Sequence, residues 1–171
     1  MHWARYCAAC GATGILVTAG RRLDCASCGF EFYQNVATAV SAVLRYQGEV
    51  AWLVRAREPG RGLLDLPGGF VDPDEALEAA LSRELREELG LEVGPGRYLF
   101  SAPNHYPYAG IEYCTVDAYF AFELGVRPQV SLNDEAQALR WLSPGAVRPE
   151  MLAFDSLRAA LPQLQQLEIA R

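Results

Sequence analysis

The chain has 171 residues, a hydrophobic fraction of 51% and a formal net charge of −6 at pH 7. A chain of this length and composition can bury one sizeable core together with a small metal-stapled module. No apolar run is long enough to span a membrane, so we expect no membrane contact and a cytoplasmic location. The acidic balance also argues against a general nucleic-acid-binding surface.

The first motif is a pair of Cys-x-x-Cys knuckles, Cys7 with Cys10 and Cys25 with Cys28, separated by fourteen residues. Paired knuckles at this spacing predict a structural Zn²⁺ site with four thiolate ligands and no open coordination position. Two disulfides or redox-active dithiols are the alternative. They are disfavoured because the sequence shows no secretory signal and stable disulfides are rare in the cytosol. We therefore expect a zinc ribbon at residues 1–33.

The ribbon has few basic residues near its knuckles, namely Arg5, Arg21 and Arg22. We therefore expect it to have a structural or dimer-forming role rather than a nucleic-acid-binding one. The fifth cysteine, Cys114, lies with Tyr113 in an alternating apolar segment, and we expect both side chains to be buried.

Residues 34–171 are predicted to form one α/β domain. Runs rich in β-branched residues predict strands, and apolar residues at helical spacing predict helices. The predicted strands cover 36–46, 50–56, 64–66, 97–102, 113–123 and 139–142, and the predicted helices cover 73–89 and 149–161. This order describes a mixed sheet between helices, an α/β/α sandwich.

The helix at 73–89 has clear start and stop signals. Asp72, Pro73 and Glu75 have the pattern of an N-cap, a first-turn proline and a reciprocal capping glutamate. Gly90 is placed to end the helix in a left-handed conformation.

Three carboxylates of this helix are predicted to face the protein body. A helical wheel places Glu84 and Glu88 within the apolar arc and Glu87 at its edge. Their mutual repulsion should raise their pKa values or unfold the turn unless a cation pairs with them. Oxygen-rich ligand sets suit Mg²⁺ or Mn²⁺. A solvated acidic helix paired with Arg83 and Arg86 is the alternative, which is disfavoured because other residues already form the outward face.

A longer pattern contains these glutamates. Gly69, five residues, Glu75, seven residues and then Arg-Glu-Leu-Arg-Glu-Glu-Leu-Gly-Leu at 83–91 resemble the Nudix box of Nudix hydrolases, with every fixed position filled. The resemblance implies the same sandwich fold and a loop–helix–loop that holds a divalent metal ion beside a pyrophosphate. Water is the implied nucleophile, and the substrates are nucleoside diphosphates linked to another group.

The resemblance also assigns roles to residues. It implies that Glu84 and Glu88 are the main metal ligands and that Glu87 assists a further metal ion or the attacking water. Supporting roles fall to Glu75 and Arg83, which orient the ligands, and to a backbone carbonyl near Gly68. Because pyrophosphate is strongly anionic and the chain is acidic, metal binding is also expected to be the main source of substrate binding.

A zinc ribbon directly before a Nudix domain resembles the NADH pyrophosphatase branch of the family. That branch carries Ser-Gln-Pro-Trp-Pro-Phe-Pro-x-Ser after the box, whereas residues 101–108 here read Ser-Ala-Pro-Asn-His-Tyr-Pro-Tyr, with Ser101 and Pro103 aligned. We expect this segment to form a loop. The implied substrate is an NADH- or NAD-type dinucleotide or ADP-ribose, and the implied assembly is a homodimer.

Other candidates lie outside the box. Glu135, before a late strand, matches a position that in related enzymes binds metal or acts as the general base, although a solvated loop glutamate is the alternative. Arg55 and Arg57 are candidate phosphate clamps. Candidate stacking faces for a substrate base are Phe70, Tyr106 and Tyr108.

Two classes of function fit this sequence. The first is a metal-dependent pyrophosphohydrolase acting on a small nucleotide. The second is a nucleotide-sensing, RNA-end-binding or decapping module that keeps the fold. The three box glutamates favour the enzyme, because a sensor has no physical need to hold repelling carboxylates together.

Overall fold

The computed structural model describes residues 5–167 and divides the chain into two compact units, Met1–Val36 and Ala37–Arg171. The smaller unit contains a three-stranded antiparallel sheet of β1 (Ile15–Thr18), β2 (Arg22–Cys25) and β3 (Glu31–Tyr33) in the order β1-β2-β3. Strands this short bury little apolar surface, so the unit depends on another source of stability.

The larger unit is built on a seven-stranded mixed sheet. Its main path runs β10-β5-β4-β9-β8, while β6 pairs with β5 and β7 pairs with β4. The β4–β9 pair is parallel and the other pairs are antiparallel. The strands are β4 (Ala37–Tyr46), β5 (Glu49–Arg55), β6 (Leu64–Asp65), β7 (Gly68–Phe70), β8 (Arg97–Tyr108), β9 (Ile111–Glu123) and β10 (Ala136–Leu142).

One helix packs on each face of this sheet. The box helix α1 (Leu77–Leu89) shares a hydrophobic cluster with Ala51 and Leu53 of β5. The last helix α2 (Asp155–Gln166) shares the opposite cluster with Trp52 and Val54. Because successive strand residues point to opposite faces, this alternation places the sheet between two apolar layers. The predicted mixed α/β sandwich is confirmed.

Helix α1 begins later than predicted. Asp72 to Glu75 form a separate turn, in which the Asp72 N–H donates to the Glu75 carboxylate and the Glu75 N–H donates to the Asp72 carbonyl. Asp74 has a φ of 65°, which a right-handed helix cannot contain. The helix end at Gly90 agrees with the prediction: its φ is 65°, and its N–H donates to the Arg86 carbonyl.

The last helix also begins later than predicted. Residues Pro149–Met151 form one 3₁₀ turn, and α2 starts at Asp155. The Ala153 N–H donates to the Leu64 carbonyl at 2.9 Å, so the backbone at this point pairs with β6 rather than with a helix. A contact between distant segments therefore overrides the local helical pattern.

Strand β8 continues past the predicted strand end at residue 102, so residues 103–108 form a strand rather than the predicted loop. It pairs with β9 as far as Tyr108 opposite Ile111, and Ala109 and Gly110, with φ of 50° and 78°, close the hairpin. Strand β8 lies at the edge of the sheet, where proline is tolerated. On this hairpin Cys114 and Tyr113 are exposed, so their predicted burial was wrong.

Helix length and hydropathy bear on membrane insertion. No helix within residues 5–167 combines the length and apolar character that crossing a membrane requires.

Candidate functional site

The four cysteines of the smaller unit come together. Their sulfur atoms lie within 4.8 Å of one another, with Cys7 and Cys28 at 3.7 Å and Cys10 and Cys25 also at 3.7 Å. Four sulfurs about 2.3 Å from a tetrahedral Zn²⁺ are separated by about 3.8 Å. The arrangement therefore fits one metal ion with four sulfur ligands.

The two knuckles repeat the same backbone geometry. Gly11 donates its N–H to the Cys7 carbonyl and Gly29 donates to the Cys25 carbonyl, each at 2.9 Å. Both glycines have positive φ, of 73° and 75°. Backbone N–H groups also point at sulfur: the Ala9 N–H donates to Cys7 Sγ at 3.4 Å, and such bonds hold the pKa of Cys25 down to about 7. The donors to Cys25 therefore stabilise its thiolate, which is the form that binds metal.

In the larger unit, Arg83 is the central cation of the box helix. Its guanidinium donates to the Glu75 carboxylate at 2.9 and 3.1 Å and to Glu84 at 2.8 Å. It also donates to the Phe70 carbonyl at 2.9 Å and to Glu87 at 3.3 Å. Arg83 thus joins the turn before the helix, the helix and β7.

Glu88 is the most deeply buried carboxylate of the box helix. It is 7% exposed, and its Oε2 accepts a hydrogen bond from the Gly68 N–H at 2.8 Å. Burial raises the pKa of Glu88 from 4.5 to about 8, and the charges of Asp65, Glu84 and Glu135 add to the increase. The raised pKa agrees with the sequence prediction, although burial rather than repulsion is its main cause.

Glu84 lies against the backbone of β7. A Cβ atom at Gly69 would be 2.5 Å from Glu84 Oε1, so only glycine leaves room for this carboxylate. Burial raises the pKa of Glu84, Arg83 opposes the increase, and the charges of Glu87 and Glu135 add to it. The side chain of Glu87 is exposed.

The box carboxylates interact electrostatically without forming a tight group. In residues 5–167, the cysteine cluster is the one set of three or more ligating side chains close enough to hold a single metal ion. Glu84 is bonded to Arg83, and Glu88 to Gly68. Their hard oxygen donors nevertheless fit Mg²⁺ or Mn²⁺, because a cation would offset the cost of burying the two carboxylates and the repulsion that adds to it.

Glu135 stands immediately before β10 and lines the same cleft as Glu88, and its charge contributes to the raised pKa of Glu84 and of Glu88. Its own carboxylate is 3.3 Å from Arg57, which also pairs with Asp134. Arg57, a predicted phosphate clamp, is therefore engaged in ion pairs beside Glu135.

A cleft of about 170 Å³ opens beside Glu88. Its walls include Arg55, Phe70 and Tyr106 from the predicted substrate contacts, whereas Arg57 and Tyr108 do not line it. Arg55 already donates to Asp65 at 2.6 Å and to the Pro59 carbonyl at 2.7 Å, and it lies over the Phe154 ring. It is thus anchored in the wall, which limits the direct phosphate contact predicted for it.

The sequence prediction missed a polar group in this cleft, formed by Asp65, Asn104, Thr115 and Asp117. Thr115 and Asp117 are 3% and 7% exposed, and they alternate with other residues along β9. Two polar side chains at a period of two in an apolar strand are the signal that could have revealed them.

The mixed sheet between two helices, with the Gly69–Leu91 segment packed on β4, defines a Nudix-type domain. The model of the NUDIX domain family matches residues 34–163. The chain therefore belongs to the Nudix hydrolase family.

Individual relatives agree with this assignment. The NAD-capped RNA hydrolase NudC of Chromobacterium violaceum is 31% identical over 176 residues, covering 98% of this chain and 62% of that protein. The CTP pyrophosphohydrolase of Escherichia coli is 35% identical over 133 residues, covering 72% of this chain and 94% of that protein. The chain thus spans about three fifths of the NudC relative and nearly all of the second relative.

A solved structure shows the same fold. The NUDIX domain of Shewanella oneidensis NrtR, complexed with ADP ribose, superposes with a TM-score of 0.62 at 25% identity. The match covers 79% of this chain and 90% of that one.

The two adjacent glycines of β7 should respond differently to alanine. In Gly68→Ala the new Cβ would lie 2.0 Å from the Val40 carbonyl oxygen, and φ is 143°, so the backbone must move. We expect a loss of roughly 2 to 4 kcal/mol in the free energy of unfolding, measured with urea. Gly69→Ala meets the end of the Glu84 side chain and should cost less. Equal losses would contradict this account of β7.

The pH dependence of stability should report Glu88. Because its folded pKa of about 8 exceeds the ordinary 4.5, the folded state binds more protons between these values, and stability falls as pH rises through this range. Glu88→Gln removes the ionisation. Without added divalent metal, we expect the variant to exceed the wild type by roughly 1 to 3 kcal/mol at pH 8.5 and to be nearly equal at pH 5.

The exposed neighbour provides the control for this measurement. Glu87→Gln should show no comparable change with pH in the same urea titrations. A difference between wild type and Glu88→Gln that is constant from pH 5 to 8.5 would show that Glu88 is not the buried titrating group.

Proposed function

We propose that this protein is a metal-dependent pyrophosphohydrolase acting on a nucleoside diphosphate linked to a second group, with an NADH- or NAD-type dinucleotide or ADP-ribose as the leading substrates. The observation that carries the proposal is the buried carboxylate of Glu88, whose pKa is raised beside Glu84 and Glu135 at the edge of a cleft. Burying charges of one sign together is costly unless a cation is bound.

The proposed metal site uses the glutamates of the box. Glu84 and Glu88 are the main ligands of Mg²⁺ or Mn²⁺, with Glu87, Glu135 and the backbone at Gly68 assisting. Such an ion, when bound, polarises phosphoryl oxygens, lowers the pKa of a water molecule and stabilises the leaving phosphate. Arg83 and Glu75 hold the helix and the loop before it in register, so that the ligands keep their positions.

In the proposed reaction a carboxylate of the protein accepts the proton of the attacking water. Glu135 is a candidate general base because it is exposed and its charge acts on both Glu84 and Glu88. Glu87, also exposed, is the second candidate. Arg57 contacts Oε1 of Glu135, so Oε2 can accept a proton while the ion pair holds the side chain, which makes Arg57 a positioning residue in this proposal.

Substrate choice is supported by the chemistry that the relatives share. The names of the two relatives refer to NAD-capped RNA and CTP, and the solved structure holds ADP ribose. All of these contain a nucleotide with a pyrophosphate or a triphosphate. The cleft provides aromatic faces for such a ligand, with Tyr106 lying 5.5 Å from Phe70 and 5.6 Å from Phe154 between ring centroids.

The alternative function is action on, or binding of, an NAD-capped RNA end. Its support is the name of the Chromobacterium relative, of which this chain spans 62%. The net charge of −6 weighs against a broad RNA-binding surface. The same metal chemistry would serve both substrates, so the RNA end belongs among the tested compounds.

For the smaller unit we propose a structural Zn²⁺ bound by the four cysteines. For the whole protein we propose a cytoplasmic location, in which these thiols stay reduced, and assembly into a homodimer. The sulfur separations and N–H···S bonds support zinc. The homodimer rests on the family resemblance, and size measurement in solution tests it.

Product analysis tests the hydrolase proposal. We expect purified protein with Mg²⁺ or Mn²⁺ to convert NADH to NMNH and AMP, or ADP-ribose to AMP and ribose phosphate, as measured by ion-exchange chromatography. Glu88→Gln should lower kcat/KM by about 100-fold or more, because loss of a metal ligand should exceed the 10- to 100-fold effect of a supporting residue.

The matched control is Glu78→Gln, an exposed glutamate on the same helix, which should keep wild-type activity. CTP and an NAD-capped oligonucleotide complete the substrate panel. Cleavage of the capped RNA alone would establish the alternative. No cleavage of any compound, or an unchanged Glu88→Gln enzyme, would refute the hydrolase proposal, and nucleotide binding without cleavage would favour the sensing module.

Metal analysis tests the zinc proposal. We expect about one zinc per chain by elemental analysis of protein purified without added metal. Cys28→Ser should lose the ion, and amide exchange within residues 5–36 should accelerate because the short strands lack a core. Cys114→Ser should retain the zinc. A zinc-free protein with unchanged exchange in this unit would contradict a structural metal.

A further inference from the structure

Asn104 is a buried amide without a function in the scheme above. It is 5% exposed, it lines the cleft, and its Oδ1 has no hydrogen-bond partner among the described residues. A buried polar atom without a partner destabilises a fold, so such atoms are rare unless water or a ligand supplies the missing hydrogen bond. The Oδ1 of Asn104 is therefore a candidate to accept a hydrogen bond from a ligand in the cleft.

The neighbours of Asn104 define which group fits. Asn104 is the direct cross-strand partner of Thr115, and Asp117 follows two residues later on the same face of β9. The Thr115 hydroxyl donates to Asp117 at 2.8 Å, so its lone pairs remain available as acceptors. The second oxygen of Asp117 accepts from the Ser156 hydroxyl at 2.5 Å.

With Oδ1 of Asn104 and the hydroxyl oxygen of Thr115 on neighbouring strands, the floor of the cleft offers hydrogen-bond acceptors. Such a floor fits a ligand that donates hydrogen bonds. The walls next to it are aromatic: Tyr106 lies two residues after Asn104 on the same face of β8, and Phe70 and Phe154 lie against its ring. Aromatic walls favour a flat ring.

We propose that Asn104 is a specificity residue that accepts a hydrogen bond from an amino group on the planar ring of the substrate, with Thr115 and Asp117 completing the polar floor. This inference rests on the proposed function for the identity of the site as a nucleotide cleft. The amino group is either that of adenine or that of the nicotinamide carboxamide. Both present N–H donors from a flat ring.

Binding of paired mononucleotides tests the inference without requiring turnover. AMP and IMP differ in replacing the adenine amino group by a carbonyl, and nicotinamide mononucleotide and nicotinic acid mononucleotide differ in replacing the amide by a carboxylate. By calorimetry in Mg²⁺, we expect the amino member of one pair to bind about 10-fold or more tightly, the scale of one hydrogen bond to a buried group. The pair whose two members bind with different affinities identifies which ring occupies the site.

Variants of Asn104 test whether this residue causes the preference for the amino member of the pair. Asn104→Ala should bring the two dissociation constants within about 3-fold, and Asn104→Ser, which keeps an oxygen acceptor, should restore part of the preference. His105→Ala is the matched control, because His105 is exposed on the opposite face of the same strand and should leave the ratio unchanged. Asn104→Ala should not lower the melting temperature, whereas loss of a structural asparagine should.

Several outcomes would overturn the inference. They are equal binding within both pairs, no detectable binding of any mononucleotide to the wild type, and an undiminished preference in Asn104→Ala. Failure of the hydrolase proposal has a different signature, since a protein that discriminates AMP from IMP but cleaves nothing supports the role of Asn104 while refuting the catalytic assignment.

Discussion

The burial of the Glu88 carboxylate is the constraint on which the larger unit depends. A carboxylate that is 7% exposed needs a donor, and the Gly68 N–H supplies one at 2.8 Å. Burial nevertheless keeps its ionisation unfavourable, and the nearby negative charges of Asp65, Glu84 and Glu135 add to this effect. A fold that holds these groups together sacrifices stability at one place, which is a common property of sites that bind a cation or perform acid–base chemistry.

The backbone around this carboxylate is built for close approach. Gly69 leaves no side chain between β7 and the helix, so Glu84 can rest against the strand, and the neighbouring Gly68 donates its N–H to Glu88. Arg83 then connects Glu75, Glu84 and the Phe70 carbonyl. One guanidinium thus fixes three segments of the chain, which only its several planar donors allow.

The cleft joins two regions with different chemistry. At one side, Glu88 and Glu135 provide oxygen donors suited to a metal ion and to phosphate chemistry. At the other side, the β8–β9 hairpin provides Asn104, Thr115 and Tyr106, which suit a ring with hydrogen-bonding groups. The hairpin carries the segment in which this chain departs from the NADH pyrophosphatase signature, and it is a separate element from the box helix.

The sequence by itself determined the features that depend on local spacing. The cysteine knuckles, the Gly90 helix end, the apolar alternation of β4 and β5 and the position of Glu88 on the buried face all follow from residue types at short intervals. The tertiary structure decided what depends on distant partners. Pairing with β9 turned the proline-containing segment at 103–108 into an edge strand, and pairing with Leu64 delayed the last helix. The sequence also did not reveal the ion pairs of Arg55 with Asp65 and of Arg57 with Glu135, or the Asn104 Oδ1 that has no partner within residues 5–167. These environments are assembled from segments that are far apart in the chain.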